Sequence, residues 1–138
     1  MATTKEITIQ MEDRPGALGQ VCRALAEWRV NIVAFDFFNS GGKSLVRMVV
    51  DDPTTTKKVL DDEHLTYTEA EVVLVRVPHR PGELAPTASR LGDANIKINY
   101  AYCGIEPGTN VPLLIFGVAE VDRAASTLKQ AASRAHSM

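Results

Sequence analysis

Two short stretches of the sequence have the residue types of a helix start that binds an anion. Residues 13–18 read DRPGAL and residues 79–84 read HRPGEL, and each follows an apolar run and precedes a segment with helical spacing. The first amides of a helix lack partners within the helix and carry partial positive charge, so they attract a carboxylate or a phosphate. Proline suits the first helical turn, and glycine lets a ligand approach the backbone. The alternative is a plain strand-to-helix turn in which Asp13 caps the helix and Arg14 is solvated.

These stretches belong to an internal repeat. An offset of 66 residues pairs the Arg-Pro-Gly at 14–16 with that at 80–82. At an offset of 64, the dipeptide Asn-Ile at 31–32 matches Asn-Ile at 95–96, so the second copy is expected to reach its next strand two residues sooner. Farther along, the offset is 68, which lengthens the second hairpin loop. A repeat of this length indicates one supersecondary unit used twice.

The elements that must position these stretches follow from the residue patterns. The alternating residues of EITIQM predict a strand, and residues 18–28 have the spacing of a helix. The turn residues NSGGKS lie between NIVAFDFF and LVRMVV, which are predicted to be the two strands of a hairpin. The stretch DDPTTTKKVLDD then predicts a helix that starts at Pro53. Residues 65–77 form one run without Gly or Pro, which supplies the closing strand of the first copy and the first strand of the second. We therefore predict an α+β fold with two ferredoxin-like β-α-β-β-α-β units in tandem, antiparallel sheets and helices on one face. The expected domains are 1–70 and 71–138.

The second copy lacks an obvious closing strand. Its last ten residues, KQAASRAHSM, are rich in Ala and continue a helical pattern. The apolar edge along residues 72–77 would then be unpaired, and such an edge invites another strand. We expect it to be filled by pairing between the copies or between two chains, and we favour a homodimer.

Composition excludes several classes of protein. The chain has 138 residues, a net charge of −2 and 45% hydrophobic residues. It has no apolar run near the ~20 residues that a membrane span needs, and no basic tract that would indicate nucleic acid as a partner. The first ten residues lack the apolar core of a signal peptide, so we expect a cytoplasmic protein.

Other residue groupings give weaker indications. SGGKS at 40–44 lacks the first glycine of a phosphate-binding loop and is predicted to be a hairpin turn. DDEH at 61–64 is expected to be a solvated rim rather than a metal site, and we expect no metal, no cofactor and no catalytic group. Two alternatives stay open for His79, which is either an exposed loop residue or a titrating replacement for Asp13. Tyr100 and Tyr102 share a strand face and lie in the core or beside a ligand.

The combination of the Arg-Pro-Gly turn, the helix length and the following strand resembles tandem ACT domains, small modules that bind amino acids and regulate metabolic enzymes. The resemblance covers nearly the whole chain and implies a non-catalytic regulatory module whose partners are a small amino acid and a metabolic enzyme or regulator. In that family the effector lies between neighbouring units, held by the loop after the first strand and by the start of the second strand. Carried over, this implicates Asp13, Arg14, Pro15, Gly16, Ala17, Leu18, Asn31 and Ile32 in the first copy, and His79, Arg80, Pro81, Gly82, Glu83, Leu84, Asn95 and Ile96 in the second.

The residue chemistry is consistent with an amino acid as ligand. Helix amides could take the α-carboxylate, Asp13 the α-ammonium, and the Asn31 amide either group. The alternatives are an enzyme of the acylphosphatase type, whose phosphate loop is not found here, and a purely structural or protein-interaction module. An RNA-binding sheet of the same topology would carry basic and aromatic residues on its third strand, and this chain does not.

Overall fold

The computed structural model describes the backbone of residues 2–137 and the side chains of residues 3–129. Strand, helix, two strands and helix follow one another twice, so the predicted α+β fold with a duplicated unit is confirmed. The strands are β1 (Ala2–Met11), β2 (Ile32–Ser40), β3 (Lys43–Val50), β4 (Thr66–Arg76), β5 (Ile98–Ile105) and β6 (Pro112–Val118), and the helices are α1 (Ala17–Glu27), α2 (Pro53–Asp62), α3 (Leu84–Asp93) and α4 (Val121–Ser137).

The first compact unit comprises residues 5–70. β3 lies between β1 and β2 and is antiparallel to both, with Ile7 and Phe35 each opposite Met48. The end of β4 that belongs to this unit lies beside β1. One core packs α1 and α2 against the same face of β1 and β3, and it includes Val21, Leu25 and Leu60. Burial of these apolar side chains is the main favourable contribution to the stability of the unit.

Among the described residues, the second compact unit comprises residues 71–137 together with residues 2–4. β6 lies between β4 and β5, with Val73 and Ala101 each opposite Phe116. Its core joins strand residues to Leu91 of α3 and Leu128 of α4. α4 continues to Ser137, so the described chain ends in a helix, as the Ala-rich sequence predicts.

The edge of the second sheet along β4 has a neighbour within the same chain. Residues 2–4 of β1 belong to the second unit, and β1 follows β4 in the strand order. This neighbour lies within the chain, as one of the two expected solutions requires, and the favoured homodimer stays a prediction.

The helices α1, α2 and α3 end in the same backbone arrangement, which corrects one detail of the repeat. Arg29, His64 and Asn95 follow these helices with positive φ of 57–58°. In each case the N–H of the next residue donates to a carbonyl of the last helical turn, as Ile96 does to Leu91. This arrangement is a Schellman cap, and it shows that Asn95 of the second repeat is equivalent to Arg29 of the first. The offset here is therefore 66, so the pairing of Asn31-Ile32 with Asn95-Ile96 is wrong. Ile32 instead corresponds to Ile98, because each begins its strand.

The predicted helix start at Pro53 and the predicted hairpin turn at 40–44 are confirmed. Asp52 caps α2 by accepting a hydrogen bond from the Thr55 N–H at 3.0 Å, and Pro53 occupies the first helical position. The Thr55 hydrogen bonds hold the pKa of Asp52 below its ordinary value. The turn between β2 and β3 contains Gly41 and Gly42 with φ of 58° and 78°, and a type I′ hairpin turn requires positive φ at both positions.

Among residues 2–137, no helix is long and apolar enough to cross a membrane.

Candidate functional site

The Arg-Pro-Gly sequence makes a type II turn before the helix. The Ala17 N–H donates to the Arg14 carbonyl at 3.4 Å, and Gly16 has φ 88° and ψ −10°. Position i+2 of a type II turn has positive φ, which favours glycine, and position i+1 favours proline. α1 begins only at Ala17, so Pro15 precedes the helix and the expectation that it occupies the first helical turn is wrong. Gly82, with φ 86°, repeats the left-handed glycine before α3.

Asp13 and Arg14 do not have the roles of a plain capped turn. No side chain caps α1, and the Asp13 carboxylate instead accepts a hydrogen bond from the Ser44 hydroxyl at 3.1 Å. The guanidinium of Arg14 binds the Glu12 carboxylate at 3.0 Å and the Gln20 side-chain carbonyl at 2.7 Å. The loop is therefore tied to the β2–β3 hairpin through Asp13 and to α1 through Arg14.

A pocket of about 510 Å³ opens beside this loop within the first unit. The end of β1, the start of α1, the β2–β3 turn and the α2–β4 connection all contribute to it, because the topology brings these segments to one end of the sheet. Its lining joins apolar side chains to charged groups of both signs: Gln10, Met11, Glu12, Asp13, Arg14, Ala17, Gln20, Val21, Gly42, Lys43, Glu63, His64, Leu65 and Thr66.

The structure separates the residues implicated in the first copy. Asp13, Arg14 and Ala17 line the pocket, Pro15 and Gly16 form the exposed turn beside it, and Leu18 packs partly against the core. Asn31 and Ile32 lie at the opposite end of β2, where the Asn31 N–H donates to the Asp51 carboxylate at 2.9 Å. Within this unit the loop and the strand start therefore do not meet, and a role for Asn31 and Ile32 in binding stays a prediction.

In the second copy, a role in binding stays a prediction for all the implicated residues, and the structure shows their local environment. His79 and the turn residues Pro81 and Gly82 are exposed, Arg80 pairs with Glu83 through their side chains, and Leu84 is 56% exposed.

The strand-start residues of the second copy also differ from their expected positions. Asn95 follows α3 in the left-handed conformation, and Ile96 is a core residue that is 4% exposed. The expectation that Asn95 and Ile96 repeat Asn31 and Ile32 at a strand start is therefore wrong, because Asn95 ends a helix.

Sequence reasoning missed part of the pocket. Lys43 was treated only as part of a turn, and the segment from Glu63 to Thr66 only as a solvated rim and the start of a strand. The signal was available in the predicted topology, which places the β1–α1, β2–β3 and α2–β4 connections at one end of a ferredoxin-like unit. Glu63 and His64 do lie on a rim, since both are exposed and border the pocket.

The remaining groupings have local contacts within the described residues. The Tyr67 hydroxyl donates to Asp61 at 3.0 Å, and this hydrogen bond raises the pKa of Tyr67. Within the part of the chain that the structure describes, no cluster of three or more His, Cys, Asp or Glu side chains could hold a metal ion. Tyr100 and Tyr102 stack at 6.4 Å between ring centroids, half-buried on the face of β5 that points away from α3 and α4.

Known proteins share this architecture. The family model for the ACT domain pair matches residues 2–132. Protein BT0572 from Bacteroides thetaiotaomicron has a similar structure, with a TM-score of 0.82 and 26% identity over 93% of this chain and 88% of that one. The regulatory subunit of aspartate kinase from Thermus thermophilus is similar in fold, with a TM-score of 0.64 and 16% identity over 94% of both chains. No curated protein matches the sequence significantly. Because the family model covers nearly its whole length, the chain belongs to the family of ACT domain pairs.

Proposed function

We propose that this ACT pair is a non-catalytic regulatory module that binds an amino acid in the pocket of its first unit. The position between neighbouring units that the family resemblance implies stays an untested expectation. The observation that supports the proposal best is the position of the pocket, which borders the Arg-Pro-Gly loop that the family uses for its effectors. The pocket presents cationic and anionic groups within one cavity of about 510 Å³. A zwitterion needs both, because its two charged ends must each find a partner of opposite sign.

The geometry gives each part of an amino acid a partner. Lys43 would take the α-carboxylate, assisted by the positive N-terminal end of α1, because α1 begins beside the pocket. The Asp13 carboxylate would accept the α-ammonium. The apolar lining from Met11, Val21 and Leu65 would contact the side chain of the ligand.

The module is proposed to report its ligand to another protein. Structural neighbours include proteins named as regulatory subunits of aspartate kinase, and by analogy we propose a metabolic enzyme or regulator as the partner in the cytoplasm. No nucleic acid or membrane takes part in this proposal. Formation of a homodimer also stays a proposal, and sedimentation equilibrium at micromolar concentration tests it, since a monomer throughout would exclude it.

A thermal-shift screen against each proteinogenic amino acid tests the proposal. An amino acid present at about one hundred times its Kd adds ~2.7 kcal/mol to the stability of the folded state, so at least one should raise Tm by several degrees. Asp13→Asn and Lys43→Met should abolish this rise, whereas Lys97→Met, an exposed lysine of the second unit, should retain it. If no amino acid raises Tm in the wild-type chain, the proposed function is wrong.

A further inference from the structure

Ser44 is a buried polar residue that joins the hairpin to the ligand loop. It lies at the start of β3, is 2% exposed, and is directly opposite Asn39 in the β2–β3 ladder. Its Oγ is 3.1 Å from Asp13 Oδ1 and 2.9 Å from Asn39 Oδ1. One hydroxyl hydrogen cannot serve both oxygens. If the Asn39 amide is turned by 180°, it donates to Ser44, and Ser44 donates to Asp13.

With the Asn39 amide turned in this way, the chain of hydrogen bonds holds the Asp13 carboxylate against the hairpin. Asp13 is an exposed loop residue, whereas Ser44 and Asn39 are held by the strand register. A carboxylate anchored through one oxygen keeps the other oxygen available for an ammonium group. Holding the acceptor in place before the ligand arrives removes part of the ordering cost of binding.

The second repeat does not have these three side chains. Its hairpin register pairs Ile105 with Pro112 at the place where Asn39 pairs with Ser44, and His79 stands in place of Asp13. The backbone contact between Val77 N–H and the Pro112 carbonyl is kept at 3.1 Å. However, proline has no hydroxyl and isoleucine has no amide, so this repeat retains the fold of the loop without the polar anchor.

From this difference we propose that Ser44 is the positioning residue for Asp13, and that each chain binds one amino acid, in the first repeat only. The inference rests on the proposed function and makes it more specific. The Arg-Pro-Gly sequence forms the same turn in both units. The hydrogen bonds that join Asn39, Ser44 and Asp13 occur in the first unit, and on this proposal they are what makes that unit the binding site.

Equilibrium dialysis against an equimolar mixture of the twenty proteinogenic amino acids tests this inference, with the bound amino acids released and quantified by chromatography. The wild-type chain should bind about one amino acid per chain. Ser44→Ala should raise the apparent Kd about tenfold, the effect expected for losing a hydrogen bond to a charged group. Ser44→Thr keeps the hydroxyl and should restore binding. In an Asp13→Ala background, Ser44→Ala should have no further effect, because Ser44 acts through Asp13.

Two further variants and a folding measurement complete the experiment. Ser89→Ala, which changes an exposed serine in α3, is the control and should bind like the wild type. His79→Ala is a test of the second repeat, and a loss of binding there would count against the inference. Tm measured without amino acids shows whether each variant is folded, and Ser44→Cys provides a size-matched replacement with a weaker donor if Ser44→Ala is unstable.

Three results would overturn the inference while leaving amino-acid binding intact: two amino acids per chain, unchanged binding in Ser44→Ala, or equal losses in His79→Ala and Asp13→Ala. A wild-type chain that binds no amino acid would contradict the proposed function and this inference with it.

Discussion

Gly16 and Gly82 explain why DRPGAL at 13–18 and HRPGEL at 79–84 are nearly the same sequence. Both residues have φ near 87°, and each precedes a helix of its repeat. The Arg-Pro-Gly sequence is therefore explained by the turn alone. A repeat that binds no ligand would need the same sequence to make this turn. The chemistry that distinguishes the repeats comes from other residues, Asp13 and Ser44 in the first unit against His79 and Pro112 in the second.

The conformation of these glycines leads to a stability prediction. Gly16→Ala and Gly82→Ala should each lower the free energy of unfolding by about 1–2 kcal/mol, because the left-handed region brings Cβ too close to the backbone. Gly92→Ala is the matched control, since Gly92 lies in α3 without positive φ and with open space around its missing Cβ. It should raise the free energy of unfolding by about 0.5–1 kcal/mol. Urea denaturation measures all three, and equal effects at Gly16 and Gly92 would contradict the turn assignment.

Single residues also show where sequence reasoning stops. The replacement of Asp13 by His79 is visible in the aligned repeat, and a difference in binding between the copies stays a prediction. The partnership of Asp13 with Ser44 and Asn39 is not visible, because it depends on which residues stand opposite each other across a hairpin. The false match of Asn31 with Asn95 arose because asparagine suits two positions, a strand start and a left-handed helix end.

At the scale of elements, strands and helices were largely predictable. β4 is one uninterrupted strand because residues 66–76 contain no Gly or Pro, and α2 begins where an Asp and a Pro stand together. The first residues of α1 and α3 were less predictable, because no side chain caps the N-terminus of either helix. The pocket required the topology as well, because its walls come from segments far apart in sequence.

The two hairpins have different side chains at one equivalent pair of facing residues. In the first hairpin Ala34 stands opposite Val49, and in the second Tyr100 stands opposite Gly117. A Cβ at Gly117 would overlap the Tyr100 ring, so the small residue is required by the large one. Each unit therefore places one small and one large side chain at this position.

This complementarity predicts a compensating pair of substitutions. Gly117→Val alone should lower the free energy of unfolding by roughly 1–3 kcal/mol, the usual cost of overpacking. Combining it with Tyr100→Ala reproduces the Ala34–Val49 pair and should recover most of that loss, a coupling that a double-mutant cycle measures by urea denaturation. The matched control is Gly117→Val with Ala101→Ser, which changes an exposed neighbour on the other face of β5 and should recover nothing. Additive effects of Gly117→Val and Tyr100→Ala would contradict the proposed contact.

At the scale of the whole molecule, the fold is duplicated, and we propose that the binding site is not. Both units keep the strand order, the left-handed glycine and a helix-packed core, because each needs them to fold. The described pocket and the hydrogen-bonded anchor of its carboxylate belong to residues 5–70. On this account, the first unit recognises the amino acid, and the second preserves the architecture of the pair.

The most direct test of this account is to locate the bound amino acid by NMR. The ¹⁵N-labelled chain is titrated with an equimolar mixture of the proteinogenic amino acids, and amide shifts are followed residue by residue. We expect saturable shifts in residues 10–20, 42–44 and 63–66, which surround the pocket, and no shifts in residues 78–84 and 105–112. Shifts of equal size in both loops, shifts confined to residues 31–32, or no shifts at all would contradict the account.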